Sequence, residues 1–166
     1  MSEQEQNLIF QQWLQQYKPL LFKIVRAYAF TAMDVDDLFQ EISFQVWRSI
    51  PSFRRESAVS TWLYRIALNT SISWSTKERK FREPPTDVVL SQSESVLPGE
   101  RLTWLYNEIH KLDEVDRSLT LLLLDGFSYK EMSAMLGITE SNVGVKINRI
   151  KKYLSGQIKK TYDYGV

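Results

Sequence analysis

Residues 127–153, FSYKEMSAMLGITESNVGVKINRIKKY, constrain the fold more tightly than any other part of the chain. Met132, Met135 and Leu136 set an apolar stripe at helical spacing, and Val143, Ile147 and Ile150 set a second one at i, i+4, i+7. Between them Gly137 stands where the backbone must turn through left-handed angles, and Thr139 is suited to cap the helix that follows. The interval from Gly137 to Val143 is what a tight turn needs for the second helix to pack across the first. The pattern predicts a helix-turn-helix. Residues 141–160 carry six Lys or Arg and no acid, so the second helix has the shape and charge to enter a DNA major groove. Ser133 occupies the close helix crossing, where such motifs mostly carry alanine, and serine is small enough to preserve the packing. Amphipathic helix pairs joined by glycine also serve plain packing, so on spacing alone both readings stand.

With 166 residues and 43% hydrophobic content, the chain can bury a core as one domain or two small ones. The absence of cysteine excludes disulfides and thiolate metal sites. His110 is the single histidine and leaves no basis for a histidine metal cluster; a half-exposed helix position is expected for it. The opening MSEQEQN lacks the basic–apolar–small pattern of a secretory signal, and no apolar run approaches the roughly 20 residues that span a bilayer. A cytoplasmic location is expected. The net charge of +1 hides a strong segregation. Residues 48–82 hold eight Lys or Arg against two acids, residues 34–41 hold four acids and no base, and residues 84–100 hold three acids and no base. Alternating basic and acidic patches imply several distinct contact surfaces.

Residues 7–30 and 34–50 carry apolar side chains at helical spacing, for example Leu38, Ile42, Val46 and Ile50. Pro19 is expected to start or kink a helix rather than sit within one, and Pro51 ends the second helix. A loop of about eight residues precedes a helix over about 58–82. Residues 84–99, PPTDVVLSQSESVLPG, read as a linker, and 100–160 as three or four further helices. The predicted fold is all-α, with two small helical domains, 1–83 and 100–166, joined by the flexible acidic linker 84–99.

Two further clusters carry chemistry. Asp34, Asp36, Asp37 and Glu41 are compatible with a simple helix start, where acids oppose the helix dipole and Asp34 can serve as N-cap. No additional ligands stand at a spacing useful for a divalent metal. Around residues 60–74, Leu63, Ile66, Ala67 and Thr70 share a core-facing side, while Arg65, Asn69 and Ser73 fall on the opposite side, available to phosphates or base edges. Trp62 fits either a core anchor or a platform for stacked bases. Basic residues flank it at Arg54, Arg55, Lys77, Arg79, Lys80 and Arg82, a pattern suited to single-stranded DNA.

Taken in order, these pieces resemble a known family. Asp36-Asp37-Leu38-Phe39-Gln40-Glu41, Val46-Trp47-Arg48, Phe53-Arg54 and Ser60-Thr61-Trp62-Leu63-Tyr64-Arg65-Ile66-Ala67 with Asn69 resemble region 2 of bacterial extracytoplasmic-function (ECF) sigma factors. Leu112-Asp113-Glu114-Val115-Asp116-Arg117, the helix-turn-helix and Asn148-Arg149-Ile150-Lys151-Lys152 resemble their region 4. The resemblance covers about residues 8–158. Departures are Met132-Ser133, where the family usually has Ile-Ala, and Trp74-Ser75, which replace the more usual charged residues.

The resemblance implies a non-catalytic, promoter-recognising subunit of RNA polymerase, monomeric when free. No catalytic residue, metal, cofactor or small-molecule substrate is expected. Asp36, Asp37, Gln40 and Glu41 would dock on the coiled coil of the largest polymerase subunit, with the polymerase flap a further contact. The loop 52–60 and helix 61–77, through Ser52, Phe53, Arg54, Arg55, Thr61, Arg65, Asn69 and Ser73, would read and open the −10 element, capturing a flipped base. Helix 141–153 would lie at the −35 element. There Ser141, Asn142, Lys146 and Arg149 are the expected readers, with Lys151, Lys152 and Lys159 at phosphates or in solvent and Arg117 at the backbone. An anti-sigma factor, often membrane-anchored in this family, is an expected partner.

Two other readings compete: a stand-alone dimeric helix-turn-helix regulator, and a protein-interaction module that no longer binds DNA. No dimerisation helix is evident for the first. Hydrolytic enzymes are the weakest reading, since the sequence has no Ser-His-Asp set or Walker loop.

Overall fold

The computed structural model describes residues 1–81 and 100–162, and the predicted linker 84–99 lies outside them. Among the described residues there are seven α-helices, one 3-10 turn and no strand. The chain divides into two compact units, Met1–Asn107 and Glu108–Val166, with the division falling inside one helix. No helix among the described residues is long and apolar enough to cross a membrane.

The first unit is built on α1 (Glu3–Tyr28), α2 (Ala32–Ser49) and α3 (Val59–Phe81). Ser2 and Glu5 form a reciprocal capping box at the start of α1, the Glu5 amide donating to Ser2 Oγ at 3.1 Å. Pro19 lies inside α1, contrary to expectation. Its missing N–H is tolerated because tertiary contacts hold α1 on both sides of it. Upstream, Gln6 Nε2 donates to the Trp47 carbonyl at 2.6 Å, and Trp47 Nε1 donates to Asn7 Oδ1 at 2.7 Å. Downstream, Leu21, Ile24, Val25 and Tyr28 are buried.

The cap of α2 also differs from expectation. Thr31 accepts from the Asp34 amide at 3.1 Å, so Thr31 is the N-cap and Asp34 sits one turn in, buried. Leu38, Ile42 and Val46 of α2 meet Leu63, Tyr64, Ala67 and Leu68 of α3 in the core shared with α1. Ile66 and Thr70, expected in that core, are only half-buried, because the buried side of α3 is rotated toward Tyr64, Leu68, Ser71 and Ser75.

The second unit takes in the end of α4 (Glu100–His110), then α5 (Glu114–Leu124), α6 (Tyr129–Leu136) and α7 (Glu140–Tyr162). Leu119, Leu121 and Leu122 of α5 join Met132 and Met135 of α6 and Val143, Ile147 and Ile150 of α7 in its core. His110 is buried rather than half-exposed, because it ends α4 where the chain folds back through a short turn into α5.

A polar tie fixes the far half of α7. Tyr153 Oη donates to Glu108 Oε2 at 2.9 Å, while Lys111 Nζ pairs with Glu108 Oε1 at 3.1 Å. Burial, and then the bond to Glu108 and its charge, push the Tyr153 hydroxyl from 10.0 up to about 12. The folded chain therefore keeps a proton that an unfolded tyrosine releases. This contribution is complete below about pH 10 and is lost as pH rises toward about 12. Urea midpoints measured from pH 8 to 12 should fall across that window in the native chain, and Tyr153→Phe should flatten the fall. An identical slope in both proteins would refute the assignment.

Candidate nucleic-acid interface

The α6–turn–α7 geometry follows from local chemistry. Ser128 and Glu131 form a capping box at the start of α6, and the Ser128 amide and hydroxyl hold the Glu131 carboxyl below its usual range. Gly137 closes α6 in the left-handed region at φ 72°, where a side chain would be strained. The Ser133 hydroxyl donates to the Ile138 carbonyl across the turn. Serine at the crossing thus adds a bond that alanine could not make. The Asn142 amide donates to Thr139 Oγ1 at 3.0 Å, capping α7 as predicted.

With Val143, Ile147 and Ile150 turned into the core, α7 exposes Ser141, Asn142, Val145, Asn148, Arg149 and Lys152. These six positions recur at three- and four-residue intervals and form one face. Sequence reasoning picked Ser141, Asn142, Arg149 and Lys152 from this face but missed Val145 and Asn148. Helical periodicity alone would have placed both there. Lys151 and Lys159 are also exposed.

Lys146 is half-buried, and its charge, like that of Arg149, acts on Asp116 of α5. Burial, and then the neighbouring Asp113 charge, raise the Asp116 carboxyl pKa, while Lys146 and Arg149 pull it back down. An acid of α5 thus feels the charge of two cations of the candidate reading helix.

Arg117 departs from expectation. It is 8% exposed, its Nε donates to the Leu112 carbonyl at 2.8 Å, and its Nη2 donates to the His110 carbonyl at 2.8 Å. The guanidinium ties the end of α4 to α5 and is turned away from solvent, so a contact with the DNA backbone is not what this geometry provides. Arg117→Lys should therefore cost ~2–4 kcal/mol of stability, since lysine keeps the charge but cannot reach both carbonyls. A thermal melt reads this directly. An unchanged melting temperature with weakened DNA binding would restore the phosphate role.

In the first unit, Arg65, Asn69 and Ser73 are all exposed along α3, one turn apart, with Lys77 next in the row. Ser52, Arg54 and Arg55 are exposed in the connection before α3, and Thr61 is half-buried in its first turn. Phe53 is not available as expected. Its ring lies 4.8 Å from Trp62 and 5.4 Å from Trp13, and Trp13 meets Trp62 edge-on at 5.7 Å. The three half-buried rings anchor the base of the loop, which favours the packing role for Trp62. With that end anchored and α3 fixing the other, Arg55 is held at φ 60°, a left-handed conformation costing a non-glycine residue ~1–2 kcal/mol. The side chains of Arg79 and Lys80 and all of Arg82 lie outside the described residues.

On α2, Asp36, Asp37, Gln40 and Glu41 are all exposed, away from the buried Leu38 and Ile42. Met33, 68% exposed, and Phe44, 51% exposed, bracket the acids one turn to either side. Sequence reasoning missed these apolar ends. The face combines negative charge with exposed hydrocarbon, suited to a partner surface that is basic and partly apolar.

Comparison with known proteins finds two separate family matches along the chain. The Sigma-70 region 2 family matches residues 13–81, and the Sigma-70 region 4 family matches residues 102–154. The chain is 30% identical over 142 residues to the ECF RNA polymerase sigma-E factor of Haemophilus influenzae, covering 75% of each protein. It is 29% identical over 142 residues to the sigma-E factor of Escherichia coli K12, covering 75% of this chain and 74% of that one. Among solved structures, its fold is similar to the sigma factor RpoE of Bartonella quintana, crystallised with the anti-sigma factor NepR (TM-score 0.70, 23% identity, 90% of this chain and 96% of that one). It is also similar to CnrH, solved with the cytosolic domain of CnrY (TM-score 0.62, 22% identity, 92% of this chain and 88% of that one). Two helical units carrying sigma regions 2 and 4, together with these relatives, make the chain a member of the ECF group of RNA polymerase sigma factors.

Proposed function

We propose that this sigma factor joins core RNA polymerase, reads −35 and −10 promoter elements through separate units, and directs initiation at a signal-specific set of genes. The observation that carries the reading is the exposed face of α7, with Ser141, Asn142, Arg149 and Lys152 opposite a fully core-facing stripe. Such a face presents donors to base edges in the major groove, arginine to guanine and asparagine to adenine. The row Arg65, Asn69 and Ser73 and the exposed Ser52, Arg54 and Arg55 engage the −10 strand in the other unit, residues 1–83. The acidic face of α2, Asp36 to Glu41, docks on the coiled coil of the largest polymerase subunit, and the unit within residues 100–166 also meets the flap.

Polymerase holds both units at promoter spacing, so that binding by one makes binding by the other intramolecular. Neither surface then needs high affinity alone. The complex of RpoE with NepR supports an anti-sigma partner for this chain as well.

The test is multi-round transcription by purified core polymerase on fragmented genomic DNA, with and without the protein. Discrete new 5′ ends that require the protein are expected, and their upstream sequences should share two spaced elements. Core binding without new starts would favour an interaction module. Tight, specific DNA binding by the protein alone, without core binding, would favour a stand-alone regulator.

A further inference from the structure

Val145 stands out on the reading face of α7. Its side chain is 59% exposed, the apolar member of a face otherwise made of Ser141, Asn142, Asn148, Arg149 and Lys152. Valine is stiff at χ1 and has a low helix propensity, so an exposed helical position gains nothing from it. The core stripe of the same helix is already complete in Val143, Ile147 and Ile150. Beside it, Gly144 carries no side chain, and the Tyr129 ring lies where a Cβ at that position would meet it at 3.7 Å. On the side toward α6, Val145 is therefore flanked by a glycine and an aromatic ring rather than by a charged side chain.

Its register is informative. Val145 lies one turn after Ser141 and Asn142 and one turn before Asn148 and Arg149. At a rise of ~1.5 Å per residue, Asn142 and Arg149 are roughly 10 Å apart along the axis, about three base-pair steps. A base pair lying between those read by Asn142 and Arg149 faces a branched hydrocarbon. The one apolar group a base pair displays in the major groove is the thymine 5-methyl.

We propose that Val145 is a specificity-determining residue that selects a thymine within the −35 element by packing against its 5-methyl group. This inference rests on the proposed placement of α7 in the −35 major groove. Burying one methyl group predicts a roughly three- to fivefold preference for thymine over the same base without its methyl.

The test uses the complete protein with core polymerase on a promoter mapped by the transcription assay. Each thymine of the −35 region, on either strand, is replaced singly by deoxyuridine, which pairs identically but lacks the methyl group. Open-complex formation by native holoenzyme should fall roughly three- to fivefold at one position. Val145→Ala should bind thymine and uracil there equally, and Val145→Ser should do the same. Because Val145 is exposed, both variants should melt like the native protein. Uracil tolerated at every position, or an equal uracil penalty in native and Val145→Ala holoenzymes, would overturn the inference while leaving the sigma activity intact. Absence of any protein-dependent start would overturn the proposed function and this inference together.

Discussion

Arg149→Glu combined with Lys146→Gln should reduce −35-dependent open-complex formation on the order of 10²-fold or more. A specific contact from a basic side chain to a base edge carries ~1–3 kcal/mol, and at Arg149 the native attraction is replaced by repulsion. Glutamine is the better choice at 146. Glutamate at both positions would set two new carboxylates in the field of Asp116, whose pKa is already raised by burial and by Asp113. That would confuse lost DNA contact with a destabilised unit; the melt controls for the single acid introduced at 149. The measurement is open-complex formation by holoenzyme across a salt series, with a thermal melt of the variant alongside. Native affinity should fall steeply with salt, and the variant should show a weaker signal and a shallower slope. A variant that keeps full promoter activity would remove α7 from the DNA.

The second large effect concerns polymerase. Asp37→Lys with Glu41→Lys should weaken binding to core on the order of 10²-fold, because like charges brought together across an interface cost several kcal/mol. Both side chains are exposed on α2, so the fold of the first unit should be unaffected. Fluorescence anisotropy of labelled protein titrated with core enzyme would read the loss. Unchanged affinity would move the polymerase contact off α2 and leave the acids as a favourable first turn of a helix. The exposed Met33 and Phe44 give this face hydrocarbon as well as charge, so the residual affinity should be less sensitive to salt than the native affinity.

How far the chain could be read before its tertiary structure depended on which physical rule governed each residue. Periodicity decides which side of a helix faces a core. That rule placed Val143, Ile147 and Ile150 inside and left Ser141, Asn142 and Arg149 outside. Turn chemistry is equally local, so the left-handed Gly137 and the Thr139 cap could both be assigned from residue type. Arg65, Asn69 and Ser73 share an exposed side of α3 for the same reason.

Other assignments depended on partners distant in sequence or on the packing of whole elements. Arg117 looks available in the sequence, yet it is buried and two backbone carbonyls on the preceding turn take up its Nε and Nη2. Phe53 sits among basic and polar loop residues, and only the fold brings Trp13 against it. Pro19 reads as a helix boundary until bonds from Gln6 and Trp47 hold the helix upstream of it. Lys146 shares a helix with Arg149 but is half-buried where Arg149 is exposed. The all-helical class, the core stripe of α7 and the two-domain plan follow from local spacing, because hydrophobic period and turn residues act over a few positions. The exact buried side of α3 does not, since Ile66 and Thr70 are only half-buried. Whether a given charge or ring is free to meet DNA follows from tertiary packing, because that packing decides which hydrogen bonds and contacts are already made.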